Sequence, residues 1–163
     1  MLAAILACRN QSSRLYAKPL QNLDVERNVS ILDYLVSQLK MRKEINDIVL
    51  AISDKEENEI YVSKSKEYGV PYVCGDDRDV LGRLIRGANL VGADTIFRIT
   101  TESPYPYLDN LSELYAYHIE QGVDFSVTKA LPDGSYFQLI KTEALERCWD
   151  EGGGPYRSEY CTK

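Results

Sequence analysis

The chain of 163 residues is short of the groups that build metal and redox centres. It has one histidine, His118, and its four cysteines (Cys8, Cys74, Cys148 and Cys161) include no CxxC pair. A structural zinc site needs closely spaced Cys and His ligands, so that chemistry is excluded, and the cysteines read as buried, reduced thiols. No apolar run approaches the roughly 20 residues of a membrane span. The opening MLAAILAC lacks a basic stretch and is interrupted by Arg9, so it does not read as a signal peptide, and a cytoplasmic protein is expected. Excess positive charge is also missing: 25 acids against 19 bases leave a net charge of -6, which argues against broad nucleic-acid binding. GxxxxGK[ST] and GxGxxG are both absent, so neither common phosphate-binding glycine loop is present.

What is present alternates. Apolar runs at Leu2–Ala7, Asp47–Ser53, Pro71–Cys74, Thr95–Thr100, Asp124–Lys129 and Tyr136–Ile140 read as strands. Between them lie helical patterns: Ile31–Met41 behind a Ser30 cap, Asp54–Tyr68 as a solvated helix ended by Gly69, Asp79–Val91, a helix capped by Asp109 running to Gln121, and Thr142–Asp150. This spacing predicts an α/β fold of three layers (α/β/α, Rossmann-like) with a mostly parallel sheet, residues 1–163 forming one domain. In such folds ligands bind at the carboxyl ends of the strands. That rule singles out the loop after the first strand, the segment GDDRDVL and the loop TTESPYPYLD.

The first of these is the most informative. Arg9, Arg14 and Lys18 fall in one loop with no acid before Asp24, in a chain that is acidic overall, and Ser12 and Ser13 add hydroxyls. Clustered cations just past a buried strand suit a polyphosphate, although three solvated surface charges would leave the same pattern. Asp79 has an ordinary alternative as a helix cap, Arg83 as a helix-surface cation, and Glu102 as a loop acid.

CRNQSSRLYAKPL resembles the signature A-R-x-G-S-x-R-L-P-x-K of the sugar cytidylyltransferases, most of all the spore-coat polysaccharide subgroup. CMP-Kdo and CMP-sialic acid synthetases are more distant. GDDRDVLGRLIRGA is similar to G-x-x-x-D-V-L-x-R-[FY]-x-x-A, FRITTESPYPYLD to R-I-T-G-D-C-P-x-I-D, and ALPDGSYFQLIKTEALE to L-P-D-G-L-D-V-E-V-F-[ST]-x-E-A-L. Four segments in order are far more specific than one.

The resemblance implies a nucleotidyltransferase that joins CTP to an acidic or otherwise activated sugar and releases pyrophosphate. It implies nucleotide contacts from Arg9, Ser12, Ser13, Arg14, Lys18, Asp79, Arg83 and Thr100, with Arg9 and Lys18 catalytic. It places Mg²⁺ on Glu102, where the family has Asp, and makes a homodimer an open expectation. The chain departs from the signatures at Gln11 and Thr101, where the family has glycine, at the RLPG turn, here RLYA, and at Tyr136 and Gln138, where it has acids. It also stops where relatives continue. Two other classes fit the pattern: an inactive nucleotide-binding relative serving as a pathway subunit, and a nucleotide-sugar-dependent glycosyltransferase, for which the usual D-x-D pair is missing from TES.

Overall fold

The computed structural model describes residues 1–12, 15–128 and 130–152. Strand β1 (Leu2–Cys8) is almost wholly apolar, as a strand covered on both faces must be. It pairs in parallel with β4 (Asp47–Ser53) on one side, Ala7 opposite Ala51, and with β6 (Thr95–Arg98) on the other, Leu2 opposite Thr95. β5 (Tyr72–Gly75) extends the sheet beyond β4, while β8 (Gln138–Lys141) and β7 (Phe125–Val127) extend it beyond β6. The order is β5-β4-β1-β6-β8-β7, and β8 alone runs against its neighbours.

Alternate residues of β1 feed two cores. Leu2, Ala4, Leu6 and Cys8 pack with Leu32, Leu35 and Leu39 of α1 (Ile31–Lys40), Tyr61 of α2 (Glu59–Tyr68) and Leu111 of α4 (Leu111–Gln121). Ala3 and Ile5 face Leu81, Leu84 and Ala88 of α3 (Val80–Val91) and Leu145 of α5 (Thr142–Gly152). Gly87 lets α3 close on the sheet, because a Cβ there would stand 2.8 Å from the Ile5 side chain.

Several expectations are corrected. β6 stops at Arg98 rather than Thr100, because residues 99–103 turn away: Thr100 accepts from the Ser103 amide at 3.0 Å. β8 begins at Gln138, leaving Tyr136 outside the sheet and exposed. Asp109 does not cap α4. A short 3-10 turn, Leu108–Asn110, precedes that helix, Asn110 is the cap residue, and Asp109 lies 3.6 Å from Arg42. A small hairpin, β2 (Asn22–Asp24) with β3 (Val29–Ser30), escaped the sequence because it has no alternating pattern, and its turn is closed by Asn28 at φ 53°. Of the described cysteines only Cys8 is buried. Cys74 and Cys148 are exposed, and Cys161 lies outside the described residues. No helix among the described residues is long and apolar enough to cross a membrane.

Lys64 is not on a solvated face. Its ammonium lies 2.8 Å from Asp33, whose carboxylate also accepts from the Tyr68 hydroxyl at 2.6 Å and the Ser30 amide at 2.8 Å. Ser30 and Asp33 form a reciprocal cap on α1, and Lys64 and Tyr68 tie that cap to α2. Burial opposes the charge on Asp33, but the hydrogen bonds from Lys64, Ser30 and Tyr68 outweigh it and hold the carboxyl down at about 2. That lies below the ~3.9 of an unfolded chain, so the stabilisation is fully present above about pH 4 and is lost as pH falls towards 2. Asp33→Asn is expected to lower stability by about 1 kcal/mol at pH 7, because solvent partly screens this half-buried network. Urea unfolding should show the gap between parent and variant closing by about pH 2, and a gap independent of pH would mean that the network does not hold the charge.

Candidate active site

β1 and β6 are neighbours that run the same way, so the loops following them emerge side by side at one edge of the sheet. Between them lies a cavity of about 160 Å³, lined by Arg9, Asn10, Gln11, Ser12 and Lys18 from the first loop and by Arg98, Thr100, Thr101 and Glu102 from the second. α3 contributes Val80 and Arg83. Three regions of the chain picked out in sequence are thereby brought to one place. Ser13 and Arg14 lie outside the described residues.

Each side chain has a local reason for its position. Lys18 opens a short 3-10 turn, Lys18–Leu20, set up by Ala17 at φ 50°, ψ 41°. This left-handed conformation costs an alanine about 1 kcal/mol and a glycine almost nothing, which explains the glycine of the RLPG signature. The Lys18 ammonium lies 3.3 Å from Glu102 Oε1, with the lysine side chain 18% and the glutamate side chain 41% exposed. The two loops thus meet through an ion pair at the cavity, and Glu102 does more than face water.

Thr101, at a family glycine position, is buried and donates its hydroxyl to the Ala7 carbonyl at 3.1 Å, stapling the second loop to β1. Thr100 reaches the cavity while its hydroxyl lies 2.6 Å from that of Ser103. Arg98 donates to Gln138, its cross-strand partner, at 2.6 Å. Gln11 directs its amide to Glu57 Oε1 at 3.0 Å.

Arg83 is the least expected member. It is 2% exposed, so it is no helix-surface cation. Its Nη1 donates to the carbonyls of Cys8 and Ala51 at 3.4 and 3.1 Å, clasping the ends of β1 and β4, while its Nε has no hydrogen-bond partner. Burial pulls the guanidinium below its ordinary value, and Asp77 works in the opposite direction. A buried cation satisfied mainly by carbonyls is costly, and an anion in the adjoining cavity would offset that cost. Burial also pushes the Cys8 thiol up to about 12, against a smaller opposing effect of Arg83, so it is no nucleophile at neutral pH.

Asp79 stands apart from these groups. Its carboxylate accepts from the Gly82 amide at 2.9 Å as the cap of α3 and from the Trp149 indole at 3.0 Å, and it does not line the cavity. Asn10 and Asn58 were not picked out in sequence, since an asparagine in a loop carries no local signal. Among the described residues no cluster of three His, Cys, Asp or Glu side chains could hold a metal by itself.

These features define an α/β domain with a cationic cavity at the carboxyl edge of its sheet and a carboxylate at the rim. The chain belongs to the cytidylyltransferase family, whose model matches residues 3–159. It is 28% identical over 142 residues to the spore coat polysaccharide biosynthesis protein SpsF of Bacillus subtilis, covering 86% of this chain and 59% of that protein. A cytidylyltransferase from Leptospira borgpetersenii shares its fold with a TM-score of 0.87 at 20% identity, covering 98% of this chain and 68% of that one. CMP:2-keto-3-deoxy-manno-octonic acid synthetase complexed with CTP is similar with a TM-score of 0.68 at 13% identity, covering 90% and 76% of the two chains. The chain spans less than two thirds of the length of the curated relatives it matches.

If the cavity cations form an anion site, inorganic triphosphate should raise the melting temperature of the protein. Lys18→Ala and Arg9→Ala should each weaken its binding by about tenfold, the worth of one charge-assisted hydrogen bond. The exposed helix residue Lys66 is the control, and equal losses for Lys66→Ala in calorimetric titration would assign the binding to general surface charge.

Proposed function

We propose that this chain carries the nucleotide-binding part of an enzyme that transfers CMP from CTP to a sugar, acidic or otherwise activated, releasing pyrophosphate, in surface polysaccharide or glycoconjugate biosynthesis. The observation that carries the reading is the convergence of Arg9, Lys18 and the buried Arg83 on one cavity with Glu102 at its rim. In the reaction a sugar hydroxyl attacks the α-phosphorus and pyrophosphate leaves, so the protein's task is to position the chain of phosphates and to neutralise charge. Arg9 and Lys18, with Arg14 and Ser13 in the same loop, would hold the phosphates. Ser12, Arg83 and Thr100 would complete the pocket, and Asp79 would serve it indirectly by capping α3 beside Val80.

A divalent cation fits this donor set only in part. Glu102 offers one hard carboxylate oxygen pair, and magnesium keeps several waters and commonly takes one or two carboxylates together with substrate phosphates. Glu102 would hold Mg²⁺ against the triphosphate, and the ion would supply neutralisation of the leaving group's charge. For Lys18 to hold phosphate and Glu102 to hold the ion, the Lys18–Glu102 pair would have to part.

A second reading, a nucleotide-binding subunit without transferase activity, is favoured by one contact. Gln138 stands where the family has an acid, and its neutral side chain accepts from Arg98. Product analysis separates the readings: CMP-sugar and pyrophosphate, no product, or a glycoside.

In a thermal-shift panel with Mg²⁺, CTP should stabilise the protein more than UTP, ATP or GTP do at the same concentration; at ~100 times its dissociation constant CTP should add about 2.7 kcal/mol over the ligand-free protein. Equal shifts would remove base recognition from the account. Glu102→Gln should abolish the Mg²⁺ dependence of CTP affinity and, in EDTA, bind CTP at least as tightly as the parent, since the carboxylate that occupies Lys18 is gone. Glu102→Asp should keep the metal dependence. If both variants titrate like the parent with and without Mg²⁺, Glu102 holds no metal.

A further inference from the structure

Helix α2 presents a puzzle in packing. Glu59, Lys66 and Glu67 leave it largely solvated, yet it buries Tyr61 completely, one of the largest fully buried side chains described. The Tyr61 hydroxyl reaches out of the core to donate to the carbonyl of Arg9 at 3.2 Å. Burial pushes its ionisation upward, so the hydroxyl keeps the proton it donates.

The 3-10 turn before α2, Glu56–Asn58, does the same work from the other side. Asn58 is 1% exposed. Its Oδ1 accepts from the Asn10 amide at 2.7 Å, and its Nδ2 donates to the Ser53 carbonyl at 3.2 Å, which anchors it to the end of β4. The Glu57 carbonyl accepts from the Asn10 side chain, and Glu57 Oε1 accepts from Gln11. Asn10 in turn accepts from the Ala17 amide at 2.7 Å, closing the loop on itself. Residues 9–11 are therefore gripped by four hydrogen bonds from residues 57–61, none of which lines the cavity. None of residues 57–61 lies in the sequence segments that carry the family resemblance.

We propose that Asn58 and Tyr61 are positioning residues for nucleotide binding, fixing the backbone at Arg9 and Asn10 so that Arg9 faces the cavity before the ligand arrives. This rests on the reading of the cavity as a triphosphate site. The physical reason is pre-organisation: a loop free to move must be ordered by the ligand at the expense of affinity, whereas one held by the scaffold has already lost that freedom. The purpose of α2 is then to carry two side chains, Asn58 at its start and Tyr61 in its first turn, to the underside of the loop.

The test is a double-mutant cycle on Mg²⁺–CTP binding, measured by calorimetry on variants whose folding is first checked by circular dichroism. Tyr61→Phe, which removes one oxygen and no packing volume, is expected to raise Kd by about fivefold, the value of one hydrogen bond. Asn58→Ala is expected to raise it by about tenfold or more, and if that variant fails to fold, Tyr61→Phe decides alone. In an Arg9→Ala background the effect of either change should largely vanish, because the group it positions is gone. A purely structural role would lower the melting temperature and leave Kd unchanged, and that result overturns the proposal. Full additivity with Arg9→Ala overturns it too, since the residues would then not act through Arg9. If the parent binds no nucleotide, the proposed function fails by itself and the clamp is judged by amide exchange. Tyr61→Phe should speed exchange at Asn10 and Ala17 by about fivefold, and unchanged rates there would overturn the clamp.

Discussion

The structure depends on the parallel pairing of β1 with β4 on one side and β6 on the other. Parallel neighbours end at the same edge, so whatever follows them in the chain is brought together without any further device. Arg9 follows β1, Glu102 follows β6, and Asn58 follows β4. The cavity, its cations, its rim carboxylate and the clamp beneath the first loop are all consequences of that register. Because β1 is buried on both faces, sliding it by one residue would turn Ala3 and Ile5 into the core of Leu2 and Leu6, so the register is held by both cores at once.

Arg83 shows how the two cores and the site share one residue. It sits on α3, in the packed layer opposite α1, and its guanidinium crosses to the carbonyls at the ends of β1 and β4. A buried cation would be a poor choice for stability alone. Under the proposed triphosphate site it would supply charge that needs no reorganisation on binding, the condition under which electrostatic stabilisation works best. At the mouth of the cavity Lys18 and Glu102 neutralise each other as an ion pair.

The departures from the family signatures become intelligible one by one. Thr101 replaces a glycine and uses its hydroxyl to tie the second loop to β1. Ala17 accepts the left-handed turn that glycine would take more easily. Gln11 turns its amide towards Glu57, where it joins the grip on the loop. Gln138 pairs with Arg98 as a neutral acceptor. Nothing in the structure explains Tyr136, which stands exposed ahead of β8.

The sequence by itself determined the elements whose signals are local. Continuous apolar runs marked β1 and β4, Ser30 marked the start of α1, Gly69 the end of α2, and a run of cations without acids marked the first loop. The resemblance of four segments added the family. Where an element's fate depends on what lies beside it in space, the sequence was silent or misleading. TIFRIT reads as a strand to its last residue, but Thr101 finds the Ala7 carbonyl and the chain leaves the sheet. Arg83 and Lys66 look alike as helix cations, and only the packing of α3 on the sheet buries the first and leaves the second in water. Asp79 reads as a ligand or as a cap with equal ease until Gly82 and Trp149 take both its oxygens. Asn58 and Tyr61 carry no signal at all in the chain, because what they hold lies some 48 to 52 residues away and reaches them only through the pairing of β1 with β4.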